Sequence, residues 1–239
     1  MASYVLIHGA WHGAWCWDKV VPLLQQQGHT AIAIDLPAHG KDFTPLTDVS
    51  LQLYADKVCD TVSQQQESVI LVGHSLGGIS ITQAAEQCSS NIRKLVYLSA
   101  FLLPNGVAKL GYGLDVEGSL LEANKKVSDD KTSVSFKPAG LKDTFYHDCS
   151  ADDIAKAIQL TRPEPMAGIV SPVNYTKENF GRIPRVYIEC LQDRAIPLAL
   201  QKRMYTETPV TQVVTMDTSH SPFFSAADEL VEHLISLAN

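Results

Sequence analysis

Apolar residues along this chain fall into two alternating patterns. Short apolar runs recur at Tyr4-Val5-Leu6-Ile7, Thr30-Ala31-Ile32-Ala33-Ile34, Ser68-Val69-Ile70-Leu71-Val72 and Leu95-Val96-Tyr97-Leu98, and again over 185–190 and 211–215. Their length and continuity predict strands, several of them buried on both faces. Between them the apolar positions take helical spacing. Trp15, Val20, Val21, Leu23 and Leu24 predict a helix between Gly13 and Gly28, and Leu51, Tyr54, Val58 and Val62 predict another over 50–63. Further helices are expected over 78–86, near 198–205, and from 223 to 237. Strands alternating with helices predict a mostly parallel sheet covered on both faces.

The alternation stops between 104 and 184. This stretch is richer in charge and small residues, with a turn at Lys137-Pro138-Ala139-Gly140 and a second break at Arg162-Pro163-Glu164-Pro165. One helix stands out inside it, over 152–160, with Ser150 as N-cap. The stretch is too long for an ordinary loop. It predicts a cap inserted into a core made of 1–103 and 185–239, lying over the C-terminal strand ends where ligands bind in such sheets.

Composition narrows the setting. A length of 239 residues with 45 % hydrophobic content suits one large domain with an insertion. The formal net charge of −7 argues against nucleic acid or an anionic membrane as partner. Cys16, Cys59, Cys88, Cys149 and Cys190 are scattered and odd in number, which predicts buried free thiols in a reducing compartment. The chain enters a strand directly after Met1-Ala2-Ser3, and no apolar run is long enough to span a bilayer. A cytoplasmic protein is expected.

The chemistry is concentrated at Gly73-His74-Ser75-Leu76-Gly77-Gly78, a G-x-S-x-G turn between a buried strand and a helix. Such a turn holds the serine in a strained conformation with its hydroxyl clear of the sheet. Small residues two before and two after the serine are needed because the backbones run close there. A serine hydroxyl needs a base and an acid to orient it, in the chain order serine, acid, histidine. His220, between the last strand and the last helix, is the expected base; His233 lies within a helix and His147 within the cap. Asp193, just past the strand ending at Cys190, is the expected acid, with Asp217 as its rival. The oxyanion donors are expected to be the amides of Leu76 and Ala10. His8, His12 and His39 are expected to shape loops, and Gly9, Trp11 and Phe101 to wall the substrate pocket. No H-E-x-x-H, G-x-G-x-x-G after the first strand, or P-loop occurs, so neither metal nor cofactor is expected.

Four segments together resemble a known group: Val5-Leu6-Ile7-His8-Gly9-Ala10, His12-Gly13-Ala14-Trp15, the Ser75 elbow, and Asp193-Arg194-Ala195-Ile196-Pro197. They resemble the α/β-hydrolase group that contains plant methyl esterases and hydroxynitrile lyases. The resemblance covers nearly the whole chain and implies an α/β-hydrolase fold without cofactor, with Ser75, Asp193 and His220 as a triad. Lyases of the group typically carry threonine where Gly9 stands and lysine where Ser221 stands. Both differences favour a serine esterase acting on esters of small to medium, partly apolar acids. Ser221 and Trp11 also depart from the plant esterases, which implies a different acyl pocket. Cyanohydrin cleavage and ligand sensing on a hydrolase scaffold are the competing functions. The partners expected are a small-molecule ester and, at most, a second copy of the chain in a homodimer.

Overall fold

The computed structural model of the chain describes residues 1–113 and 115–238. Four strands and three helices form the first half of the core: β1 (Ser3–Ile7), α1 (Val20–Gln26), β2 (Thr30–Ile34), α2 (Leu51–Ser63), β3 (Val69–His74), α3 (Gly77–Gln87) and β4 (Ile92–Leu98). The segment after β4 holds α4 (Leu121–Asn124), β5 (Lys125–Val127), β6 (Ser133–Phe136), α5 (Pro138–Phe145), α6 (Ala151–Leu160), β7 (Glu164–Pro165) and α7 (Ala167–Val170). The chain then returns to the core with β8 (Arg185–Cys190), α8 (Leu198–Glu207), β9 (Gln212–Met216), α9 (Pro222–Ser225) and α10 (Ala227–Ser236).

The core strands pair in parallel in the order β2-β1-β3-β4-β8-β9. The chain leaves β1 toward one sheet edge for β2, then crosses to β3 on the other side. That reversal opens a crevice beyond the C-terminal ends of β1 and β3, the usual ligand position in open α/β sheets. The loop after β1 and the turn after β3 meet there. The residues of β1 and β3 are buried throughout, as expected of parallel strands covered on both faces.

Most local predictions hold, and the differences have physical reasons. The first helix is divided into a 3-10 turn, Ala14–Trp17, and α1. Pro22 lacks an N–H and is tolerated only in a first turn, so α1 cannot extend back through Ala14. Ser50 caps α2 by accepting the Leu53 N–H at 3.0 Å, and Ser150 caps α6 by accepting the Asp153 N–H at 3.2 Å. The last helix breaks at Ala226, whose backbone is not helical (φ −144°, ψ 47°). The break lets Phe223 and Phe224 turn inward while α10 buries Leu230 and Leu234 on its own face. Within 104–184 an antiparallel sheet, β5-β6-β7, was not legible, because strands of two to four residues carry no measurable period.

The cysteine expectation is overturned. Cys59 on α2 and Cys88 at the end of α3 form a disulfide, and only Cys16, Cys149 and Cys190 are free. The packing of α2 on α3 brings together two residues 29 apart in sequence, with Cα atoms at 5.8 Å. An odd cysteine count is blind to such a pairing. Among the described residues no helix is long and apolar enough to cross a membrane.

Candidate active site

Ser75 ends β3 in the left-handed region, at φ +53°. For a residue with a side chain this conformation costs on the order of 1–3 kcal/mol and persists only where neighbours over-determine it. Here they do. The Ser75 N–H donates to Leu98 O (3.3 Å), and Ser75 O accepts from Gly78 N (3.1 Å) and Phe101 N (2.9 Å). The flanking glycines are needed for close approach. A Cβ on Gly77 would lie 2.4 Å from His8 O, and one on Gly73 would lie 2.9 Å from Gly77 O. The elbow is therefore wedged between the β1 loop and the strand it leaves.

Gly9 sits directly against the serine. A Cβ at position 9 would fall 2.6 Å from Ser75 Cβ and 3.1 Å from His74 Nδ1. Gly9, Ala10 and Leu76 line one small cavity of about 10 Å³, room for about one water. Ala10 and Leu76 are buried residues, and their amides donate to no partner among the described residues. Buried backbone N–H groups are almost always paired, so two idle ones beside a strained serine demand a reason.

The structure brings Asp193 and His220 together. His220 Nδ1 lies 2.6 Å from Asp193 Oδ2, and both side chains are fully buried. The carboxylate is fixed from every side. Its Oδ1 accepts the Ala195 and Ile196 N–H groups at 2.6 and 2.8 Å, and its Oδ2 also accepts the Ser99 hydroxyl. With Nδ1–H donated to the carboxylate, Nε2 carries the lone pair. Asp217 is not part of this arrangement; it is exposed and accepts from Gln192 Nε2 at 2.9 Å.

His74, the residue before the serine, links the elbow to the imidazole. Its Nε2–H donates to His220 O at 2.9 Å, and the two rings lie 4.5 Å apart. Burial, followed by the neighbouring histidines, holds the His74 pKa well below the ordinary value, so this ring stays neutral. Ser75 Oγ and His220 Nε2 make no hydrogen bond with each other among the described residues.

The loop histidines behave as structural elements. His8 Nδ1–H donates to Gly9 O (2.8 Å) while Nε2 accepts the Leu36 N–H (3.1 Å). His12 Nδ1–H donates to Ala10 O (2.7 Å) while Nε2 accepts from the Tyr146 hydroxyl (2.5 Å). These bonds fix the neutral form of each. Burial lowers the His8 pKa well below normal and takes that of His12 to about 4. His147 donates to Gln192 O at 2.9 Å, and His233 faces Glu229 along α10 at 3.6 Å.

The three residues expected to wall the pocket have different fates. Gly9 touches the serine. Phe101 is buried beside it, and the Lys109 ammonium lies 5.5 Å from its ring centre. Trp11 is turned instead into the 104–184 segment: its indole N–H donates to Val134 O at 2.7 Å, and its ring packs on Phe136 and Phe145. Sequence reasoning missed Ser99 and Glu164. Ser99 lies one residue past β4 with no motif around it, and Glu164 lies where periodicity is silent. Among the described residues no cluster of three or more His, Cys, Asp or Glu side chains is arranged to hold a metal ion.

Comparison with known proteins identifies the family and the fold. Residues 4–233 match the alpha/beta hydrolase family. The chain is 33 % identical to methylesterase 1 of Arabidopsis thaliana, covering 99 % of this chain and 95 % of that one. It is 31 % identical to salicylic acid-binding protein 2 of Nicotiana tabacum, over 99 % of this chain and 96 % of that one. Among solved structures, a methylesterase, MES16 from Arabidopsis, superposes with a TM-score of 0.85 at 28 % identity, covering 99 % of this chain and 98 % of that one. A pyrethroid hydrolase from Sphingobium faniae superposes at 0.90 with 29 % identity, covering 99 % and 97 %. An unbroken match across core and insertion alike, on a sheet that ends in a strained Gly-His-Ser-Leu-Gly turn, makes this chain a member of the alpha/beta hydrolase family, on the branch that holds the plant methylesterases.

Proposed function

We propose that the protein is a serine esterase that hydrolyses carboxylic esters of small to medium, partly apolar acids, methyl esters first among them. The observation that carries this is the pair of unpaired amides of Ala10 and Leu76, two buried residues beside Ser75. Donors held without an acceptor have no structural use, but they match what a tetrahedral oxyanion requires. His220 Nε2 takes the Ser75 proton as Oγ attacks the ester carbonyl, and the two amides hold the oxyanion. The imidazolium, oriented by Asp193, returns the proton to the leaving alcohol, and water repeats the cycle on the acyl-enzyme. The Ser75–His220 hydrogen bond forms with substrate, as is common for hydrolases without ligand. The 104–184 segment acts as the cap over this site, and its side chains select the acid.

Cyanohydrin cleavage has weaker support. The backbone leaves no space for the threonine that lyases of the resembling group carry at position 9, and buried Ser221 supplies no charge beside His220.

The test is hydrolysis of p-nitrophenyl butyrate and a panel of methyl esters, with labelling by a fluorophosphonate. Wild type should turn over and be labelled; Ser75→Ala should do neither. Asp193→Asn should lower kcat by about 10⁴, because the histidine is then held in the wrong tautomer. A wild type inactive on every ester and unlabelled overturns the proposal. Full activity in Asp193→Asn removes that residue from the triad.

A further inference from the structure

The loop that carries Ala10 is held on one side by its own histidines, His8 and His12, and on the other by the 104–184 segment. Trp11, its next residue, lies in the left-handed region at φ +65°, an outlier for a bulky side chain. Three hydrogen bonds fasten it there, and all three come from the 104–184 segment. Glu164 Oε2 accepts the Trp11 N–H at 3.2 Å, the Arg162 N–H donates to Trp11 O at 2.9 Å, and Val134 O accepts the indole N–H at 2.7 Å. The peptide that ends at Trp11 N begins at Ala10. Turning it would turn the backbone that aims the Ala10 amide.

Glu164 is an unusual group to find in that position. It is a fully buried carboxylate that lines the same small cavity as Gly9, Ala10 and Leu76. A bare negative charge there would oppose the negative charge that develops on a substrate oxygen. The structure neutralises it. His39 Nε2 lies 2.7 Å from Glu164 Oε2, and His39 Nδ1 faces Pro37 O at 3.0 Å. A carbonyl only accepts, so Nδ1 carries a proton; an ionised carboxylate also only accepts, so Nε2 carries one as well. With the carboxylate ionised, the bonded pair is imidazolium and carboxylate. The Tyr54 hydroxyl donates to Oε1 at 3.4 Å.

We propose that Glu164 is a positioning residue for the oxyanion hole, bracing the Ala10–Trp11 peptide from the cap while protonated His39 cancels its charge. The proposal rests on the esterase reading of Ser75 and adds to it a role for the cap beyond covering the site. It also implies a pH limit. The groups around His39 are Glu164, the Tyr54 hydroxyl, the neutral His8 ring at 4.9 Å, His12 and the Arg162 guanidinium. Burial lowers the His39 pKa, but the Glu164 charge and hydrogen bond outweigh it, leaving the pKa raised above the ordinary value. As pH rises through that raised value, the proton leaves, two acceptors face each other, and the brace loosens.

Glu164→Ala and Glu164→Gln separate this role from simple packing. Trp11 N–H and His39 Nε2 share Glu164 Oε2, so a glutamine with its carbonyl at that place accepts the Trp11 N–H and the Nε2–H of a neutral His39, whose Nδ1–H bond to Pro37 O is given up; it keeps the brace without the charge. In Glu164→Ala, kcat on p-nitrophenyl butyrate should fall about 100-fold with KM within about threefold, the signature of a displaced oxyanion donor. Glu164→Gln should stay within about fivefold of wild type and lose the alkaline fall in kcat that wild type shows. A second measurement does not depend on the reaction. Hydrogen exchange of the Trp11 amide, followed by NMR, should be at least about tenfold faster in Glu164→Ala than in wild type or Glu164→Gln. The proposal is overturned by unchanged exchange in Glu164→Ala, by kcat within about threefold of wild type in that variant, or by a Glu164→Gln protein that keeps the alkaline limb. Wild-type inactivity on all esters, with no fluorophosphonate labelling of Ser75, would instead sink the esterase reading, and the exchange measurement would still judge the brace.

Discussion

Gly9→Ala is the smallest change that should disable this site, and its size can be worked from one contact. The added Cβ would lie 2.6 Å from Ser75 Cβ, 3.1 Å from His74 Nδ1 and 3.2 Å from His74 O. Two carbons settle at about 3.5–4.0 Å, so roughly 1 Å must be found. Neither side can give cheaply. Ser75 is pinned by backbone bonds to Leu98, Gly78 and Phe101, and the β1 loop is pinned by His8, His12 and the bonds on Trp11. The displacement therefore falls on the Ser75–Ala10 spacing itself. A misplacement of about 1 Å costs about 100-fold in rate, or about 2.7 kcal/mol of transition-state stabilisation. Overpacking should also lower stability by about 1–3 kcal/mol. The assay is kcat and KM on p-nitrophenyl butyrate beside a thermal melt. The expected result is kcat down about 100-fold, KM little changed, and a folded protein at 25 °C. A Gly9→Ala enzyme within about threefold of wild type would refute the reasoning, since it would show that the loop yields without moving the oxyanion donors.

Acid should unfold the protein through its buried neutral histidines. His8, His12 and His74 have folded pKa values below the ordinary histidine value, with His12 at about 4. Between about pH 6.5 and 4 the unfolded chain binds more protons, so stability rises with pH across that window and falls as pH is lowered through it. Guanidinium midpoints at pH 7 and pH 4.5 should show the loss. A flat response would contradict the burial of these rings. The Cys59–Cys88 bond closes a loop of 29 residues, and chain entropy assigns it about 3–4 kcal/mol. Reduction should therefore lower the melting temperature by several degrees. Cys59→Ser/Cys88→Ser should match the reduced wild type and be insensitive to reductant.

Alternation of strand and helix and the strained elbow between them were legible in the sequence. Each follows from local physics: buried parallel strands read as apolar runs, and a strained turn needs glycine at fixed offsets. Even the N-cap Ser150 could be named, because a cap acts within three residues of itself. Contacts between residues far apart in sequence could not be read this way. Asp193 was favoured over Asp217 by its place just past the strand ending at Cys190, and the fold joins Asp193 after β8 to His220 while Asp217 after β9 stays on the surface. The pairing of Cys59 with Cys88 came from the packing of α2 on α3. Trp11, expected in the pocket, is hydrogen-bonded by Val134, Arg162 and Glu164 of the 104–184 segment, which lie at least 123 residues away. Periodicity reports how one segment meets a generic interior. Which side chain from another segment completes a hydrogen bond is a property of the assembled fold, and the bonds from Glu164, Arg162 and Val134 to Trp11 are of that kind.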